Sequence, residues 1–139
     1  SSAASDVYKR QSNDSGHMLN EARQAMLLQR VKHGASAITA RQILKTATRG
    51  GAEVLRQTNI GQIAPGFAAD MAIFDMHSVD LAGTHSDPLA ALVFCGPVKT
   101  KHTIINGKLI VEDGHLTTIN LNSILQEHRK LSIGLLNYA

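Results

Sequence analysis

The chain has 139 residues and a mass of 14.9 kDa, which is the size of one domain with room for a buried core. Apolar residues make up 43% and charged residues 18%, so the composition excludes a disordered chain. The net charge is +3, and the basic residues form no tract with interleaved aromatic residues, which argues against nucleic-acid binding.

Cysteine usage and hydropathy point to a cytoplasmic location. Cys95 is the only cysteine, so neither an internal disulfide nor a cysteine-based zinc site can form. We interpret Cys95 as an inert core side chain, because it follows an apolar run with no histidine nearby. No apolar run approaches the roughly 20 residues that span a bilayer, and no signal peptide is visible, so we expect no membrane partner.

The N-terminal third predicts a tail and one long helix. Residues 1–11 read as a small, polar tail. Four N-cap formers at residues 12–15 precede an apolar stripe that predicts a helix over residues 16–33, ending near Gly34. The apolar run at residues 25–28 predicts that the second half of this helix is deeply buried.

A second helix follows directly. Thr39 and Gln42 form a capping box, and the apolar spacing behind them predicts a helix that continues to about residue 56. If the two helices have lost partners from a larger fold, their apolar stripes are exposed. Those stripes include Met18, Ile43 and Leu44.

The rest of the chain mixes strand, turn and helix signals. We predict a strand at residues 71–74, followed by a helix that begins at Asp87 and Pro88 and ends near Leu92. Two strands, at residues 98–105 and 108–112, flank the Asn106-Gly107 hairpin turn, and a further turn follows at Asp113-Gly114. The chain ends in a predicted helix with Ile124, Leu125, His128 and Leu135 on one face. This order indicates an α/β or α+β arrangement without a repeated βαβ unit.

The usual catalytic patterns are missing. The seven histidines stand at residues 17, 33, 77, 85, 102, 115 and 128, without H-x-H or H-E-x-x-H spacing. A zinc site needs three or four converging ligands, and scattered histidines on helix ends and turns are usually solvated. A serine nucleophile would need an elbow such as G-x-S-x-G, which the sequence lacks. We therefore predict neither a metal site nor a nucleophile from local spacing.

One extended pattern stands out at residues 61–75, which read GQIAPGFAADMAIFD. It predicts a tight turn followed by a buried strand with an acid at each end. The glycines supply positive φ, and we expect Asp70 to satisfy turn amides before the strand begins. None of this chemistry is catalytic, so we interpret the segment as structural.

This stretch, G-x-I-x-P-G-x-x-A-D-x-x-x-x-D, resembles the C-terminal signature of the amidohydrolase superfamily, the metal-dependent hydrolases of the cytosine deaminase and chlorohydrolase type. The remaining chain is similar in order, from Ser12-Asn13-Asp14 through the helix at residues 39–49 to residues 87–93 and 98–114. The resemblance covers about residues 12–139. It is strongest to the branch that holds 8-oxoguanine deaminase and hydroxyatrazine ethylaminohydrolase.

The resemblance implies a two-part fold, a TIM barrel with a small β-sandwich built from both chain ends. A full barrel needs about 250 residues, more than this chain has. The expected fold is therefore α/β: the last barrel helices at residues 12–57, the C-terminal half of the β-sandwich at residues 58–119 and a C-terminal helix at residues 120–139. Residues 1–11 depart from the family pattern and are interpreted as a foreign tail.

The resemblance also says where the chemistry would lie. The family holds a divalent metal, zinc or iron, with an H-x-H, further histidines and an aspartate on the last barrel strand. In this branch that aspartate stands six residues before Asp14, where this sequence has Tyr8, and a phenol cannot replace a carboxylate of low pKa. We therefore expect no catalytic and no metal-binding residue in this chain. Ser12 and Asn13 would border the pocket of the parent protein.

The resulting hypothesis is a C-terminal fragment of a metal-dependent aminohydrolase. Its parent would hydrolyse an exocyclic C–N bond on a small purine or triazine-like ring, with the metal in the parent and none in this chain. The fragment alone would be inactive. The alternative is a non-catalytic scaffold or interaction module that docks through exposed helices. The oligomeric state stays open, with a homo-oligomer as one option.

Overall fold

The computed structural model describes residues 16–96 and 98–136. The helices are α1 (Met18–His33), α2 (Ala40–Lys45), α3 (Gly51–Val54), α4 (Pro88–Phe94) and α5 (Leu121–Leu136), and the strands are β1 (Met71–Ile73), β2 (His102–Ile105), β3 (Lys108–Glu112) and β4 (His115–Leu116). The predicted combination of helices with a strand-rich patch is confirmed. No described helix has the length and apolar character that crossing a membrane requires.

Helix α1 confirms the predicted element but not its cap. Gly34 ends the helix with a φ of 95°, and its N–H donates to the Arg30 carbonyl at 2.8 Å. The N-cap is His17, whose side chain makes no capping bond. The predicted cap formers at residues 12–15 lie outside the described residues, and the helix begins three residues beyond them.

Helix α2 starts at the predicted capping box. The Thr39 N–H donates to Oε1 of Gln42 at 2.8 Å, and the Gln42 N–H donates to Oγ1 of Thr39 at 3.2 Å. One π-helical turn (Thr46–Gly50) then joins α2 to α3, so the helical path runs almost to the predicted end. The glycines at its junction make the wider turn tolerable because they have no side chains to crowd it.

The four strands form an antiparallel sheet in the order β1-β2-β3-β4. The predicted hairpin between β2 and β3 is confirmed: Asn106 and Gly107 have φ values of 48° and 76°, as a type I′ turn requires. The Asp113-Gly114 turn has the same left-handed pair, at 45° and 76°. Strand β2 begins at His102 rather than at the predicted residue 98.

The core consists of two buried clusters that share α4. The first joins α1, α2 and α4 through Ala22, Met26, Ala40, Ile43 and Val93. The second contains Leu81, Ala91 and Val98, and the partly buried Phe74 and Met76, which follow β1, pack against it. Because Val93 belongs to the first cluster and Ala91 to the second, the short helix α4 connects the helical layer to the segment that follows β1.

Two expectations about burial are wrong. Ile43 was expected to be exposed but is only 3% exposed, and Leu44 packs against the same cluster, because α1 and α4 cover this face of α2. The second half of α1 was expected to be deeply buried, yet Leu28 is 61% exposed. Only Met26 of the run at residues 25–28 is fully buried, since α2 and α4 cover one side of α1 alone.

Several large apolar side chains remain exposed on each of the two longest helices, α1 and α5. On α1 they are Leu27, Leu28 and Val31, the last of which is 87% exposed. On α5 they are Leu121, Ile124, Leu125, Leu131, Ile133 and Leu135. Monomeric proteins rarely leave contiguous apolar patches of this kind uncovered, and such patches drive association.

We therefore expect the purified chain to bind a hydrophobic dye and to self-associate. The double variant Leu28→Lys/Val31→Lys should lower dye fluorescence and association, because it removes apolar surface while lysine keeps good helix propensity. Gln29→Lys on the same helix is the matched control, since it adds charge at an exposed position that is already polar. A monomer with a sharp melt and no dye binding would argue against the lost-partner interpretation.

Candidate functional site

The signature segment at residues 61–75 is pressed against the helical layer at its start. A Cβ on Gly61 would lie 3.0 Å from Cβ of Ala52 and 3.0 Å from the Thr48 carbonyl oxygen. Gly61 also has a φ of 85°, so both the backbone angle and the space require glycine. Next to it, the Arg49 guanidinium donates to Oε1 of Gln62. The turn is therefore anchored to the end of the long helical path.

The first acid of the segment holds a distant turn. Oδ1 of Asp70 accepts a hydrogen bond from the Asn106 N–H at 2.7 Å, and the neighbouring Ala69 carbonyl accepts from the Gly107 N–H at 3.1 Å. Asp70 was expected to satisfy amides of the turn before its own strand. It instead satisfies an amide of the β2–β3 hairpin turn, because β1 pairs with β2 and brings that turn beside residue 70.

The second acid, Asp75, caps the other end of β1. Its Oδ1 accepts from the His77 N–H at 3.0 Å, and its Oδ2 lies 3.2 Å from Nζ of Lys101. The backbone bond from His77, followed by the Lys101 ammonium, lowers the pKa of Asp75. A carboxyl pKa that is lower in the folded chain stabilises the fold at pH values above the pKa that the group has in the unfolded chain. That contribution is lost as the pH falls through the lowered pKa. Because the pair is solvent-exposed, its effect on stability is small.

Both acids thus support the structural interpretation of the signature, since each carboxylate bonds to the backbone of a turn. We expect Asp70→Ala to cost about 1 kcal/mol of unfolding free energy, because it removes a charge-assisted bond at a solvent-exposed site. Asp70→Asn, which keeps an acceptor oxygen, should cost less. Urea unfolding of the three proteins measures this, and an alanine variant as stable as the parent chain would contradict the role.

The histidines converge at one place only among the described residues. The rings of His77 and His85 lie with centroids 5.5 Å apart, although eight positions separate them in sequence. His102 approaches Asp113 with 3.8 Å between Nε2 and Oδ1. The His77–His85 pair was not predicted from the sequence, because the folded turn that brings the rings together leaves no simple spacing signal.

The family's metal does not fit the described residues. Nowhere in residues 16–96 and 98–136 do three His, Cys, Asp or Glu side chains come together as a metal site would need. Ser12 and Asn13, the predicted pocket border, lie outside the described residues, as does Tyr8. Cys95 is partly buried against the second core cluster, in line with the predicted core role.

A shallow groove runs along the exposed side of α1. It encloses about 390 Å³, and its lining includes Arg23, Leu27, Leu28 and Val31. Nε of Arg23 is buried without a hydrogen-bond partner, an arrangement that costs free energy in the described chain as it stands. The groove therefore combines uncovered apolar surface with an unsatisfied donor, as an incomplete packing surface would.

This combination of helices, signature segment and antiparallel sheet corresponds to a known class of protein. The pattern of the amidohydrolase family matches residues 1–110, and the chain belongs to this family. The matched range includes residues 1–11, whose interpretation as a foreign tail stays a prediction.

Two relatives lie in the predicted branch. The chain is 38% identical over 125 residues to an 8-oxoguanine deaminase from Pseudomonas aeruginosa, covering 90% of this chain and 28% of the relative. It is 36% identical over 111 residues to a hydroxydechloroatrazine ethylaminohydrolase from Pseudomonas sp. strain ADP, covering 74% of this chain and 22% of the relative. The chain thus spans less than a third of either relative.

Solved structures agree on the fold. A zinc complex of an atrazine chlorohydrolase from Arthrobacter aurescens superposes with a TM-score of 0.78 and 32% identity, over 86% of this chain and 27% of that one. An adenosine deaminase from Xanthomonas campestris with bound zinc gives 0.80 and 26%, over 90% and 29%. The family resemblance inferred from residues 61–75 is therefore confirmed.

Proposed function

We propose that this chain is the C-terminal part of a metal-dependent aminohydrolase of the cytoplasm, one that hydrolyses an exocyclic C–N bond on a purine or triazine-like ring. The observation that carries the proposal is the similarity to relatives named for such rings, 38% and 36% identical, of which the chain spans only 28% and 22%. Residues 12–57 would be the last helices of the barrel, residues 58–119 half of the β-sandwich and residues 120–139 a terminal helix.

The exposed side of α1 supports this division. Leu27, Leu28 and Val31 form an apolar surface beside Nε of Arg23, which has no hydrogen-bond partner among residues 16–96 and 98–136. Neighbouring barrel elements would cover the apolar side chains and offer a carbonyl or carboxylate to the arginine. The opposite side of the same helix is already packed on α2 and α4.

The catalytic groups would lie in the parent, outside the described residues. Zinc in two structural neighbours supports a divalent metal for the parent, and the described residues bring no three ligands together for one. The described residues would have a structural role. Gly61 and Gln62 contact the end of the helical path, and Asp70 hydrogen-bonds to the hairpin turn of the sheet.

The alternative function is a non-catalytic scaffold or interaction module, and the uncovered surfaces of α1 and α5 favour it equally. The two proposals differ in what the gene encodes before Ser12. An in-frame barrel with H-x-H, expressed together with this chain, should release ammonia or an alkylamine from an aminated purine or triazine and lose that activity to a chelator. A start codon directly before residue 1, together with no turnover by the protein expressed from it, would support the scaffold function instead.

A further inference from the structure

His77 and His85 occupy the two ends of one folded turn. His77 follows β1, and His85 precedes α4. The short 3-10 helix Val79–Leu81 lies between them. Both side chains are exposed, and their rings are tilted by 47° with centroids 5.5 Å apart. The two imidazoles therefore face solvent together rather than serving as separate surface groups.

The backbone between the two histidines is well held. The His77 N–H donates to Asp75, and the Leu81 N–H donates to the Ser78 carbonyl at 3.0 Å. Thr84 closes the next turn, since both its N–H and its Oγ1 donate to the Leu81 carbonyl. Leu81 itself is fully buried in the second core cluster. The ring pair is therefore presented by an anchored turn, which lowers the entropy cost of holding both rings on one ligand.

We propose that His77 and His85 form a two-histidine binding site for a borderline divalent transition-metal ion such as Cu²⁺ or Ni²⁺. Two imidazole nitrogens, each about 2.1 Å from one ion at a near-tetrahedral or right angle, place the ring centres roughly 5 Å apart. The observed separation of 5.5 Å between the ring centroids is close to that value. Imidazole suits Cu²⁺, Ni²⁺ and Zn²⁺ and discriminates against Mg²⁺ and Ca²⁺.

The chemistry of the site sets its strength and selectivity. No third His, Cys, Asp or Glu joins the pair among the described residues, so water completes the coordination shell. The ion is therefore exchangeable, and affinity follows the order Cu²⁺ above Ni²⁺ above Mn²⁺. Because the ion joins the two ends of the turn at residues 77–85, it binds the folded chain better than the unfolded one and raises its stability.

The test compares the 139-residue chain with His77→Gln, His85→Gln and the matched control His33→Gln, which removes an exposed histidine at the end of α1. Equilibrium dialysis with Ni²⁺ should show one site that each of the first two variants weakens at least about tenfold and the control leaves unchanged. Mg²⁺ at the same concentration should not bind. Melts without metal should be alike for all four proteins, since both rings are exposed.

Electron paramagnetic resonance of the Cu²⁺ complex gives an independent readout. The parent chain should show coupling to two imidazole nitrogens, and each single variant to one. Nickel binding that both variants retain, or copper coupled to two nitrogens in His77→Gln, would overturn the proposal, as would the absence of Ni²⁺ and Cu²⁺ binding by the parent chain.

Discussion

A chimera that replaces residues 1–11 with the barrel of a close relative should release ammonia or an alkylamine from an aminated purine or triazine, provided that an aspartate stands at the position of Tyr8. The described part supports this expectation, because the capping box, the signature contacts and the hairpin are all formed. The 8-oxoguanine deaminase of Pseudomonas aeruginosa is a suitable donor, given its 38% identity over 125 residues. A coupled ammonia assay over a panel of rings, with 8-oxoguanine included, measures turnover.

The matched control for this chimera carries asparagine at the same position. The resemblance assigns to that carboxylate both metal binding and proton transfer, so the asparagine version should be slower by at least about a hundredfold. The unmodified chain should show no turnover in the same assay. Equal rates for the two chimeras would mean that the count back from Asp14 misplaces the last barrel strand.

Met26→Ala should cost the described fold more than any exposed truncation on α1. Met26 is 0% exposed and packs with Ala22, Ala40, Ile43 and Val93, so its truncation leaves a cavity where three helices meet. Buried methionine-to-alanine substitutions cost about 2–5 kcal/mol, a large share of a small domain's stability. The urea midpoint, followed by circular dichroism, should fall accordingly.

Two further variants serve as controls for this measurement. Leu28→Ala removes a side chain of similar size from a position that is 61% exposed, and it should change stability by less than about 1 kcal/mol. Met26→Leu keeps the volume and should cost less than about 1.5 kcal/mol. If Met26→Ala and Leu28→Ala are equally stable, α1 does not pack on α2 and α4 in solution.

Elements whose signals fit within a few residues could be predicted from the sequence. The capping box of Thr39 and Gln42, the Asp87-Pro88 helix start and the Asn106-Gly107 hairpin all form as predicted. Each depends on side chain to backbone bonds or on φ preferences between neighbours, which the sequence displays directly.

Contacts between distant residues could not be predicted in this way. The partner of Asp70 is 36 positions away, and the burial of Ile43 depends on α4, which follows α2 by more than forty residues. The apolar run at residues 25–28 shows the same limit: the pattern reveals four candidate core positions, but the number of neighbouring helices decides that only Met26 is fully buried.

The site could be placed only through the family pattern. Residues 61–75 identify the family, and their own bonds turn out to be structural at Asp70 and Asp75. The family's metal ligands and catalytic groups are expected outside this chain, so the pattern at residues 61–75 gives no information about them. The His77–His85 pair escaped for the opposite reason: it is a local arrangement, but one that depends on how a single turn closes.

Helix α4 has a consequence for how the molecule opens. Ala91 lies in one buried cluster and Val93 in the other, so this seven-residue helix contributes to both. We therefore expect the two clusters to unfold together. The amide protons of the helix's last turn, and that of its C-cap residue Cys95, which donates to the Ala91 carbonyl at 2.8 Å, would then exchange with solvent deuterium only when the entire cooperative unit opens. The slowest-exchanging stretch of the chain would be one of its shortest helices.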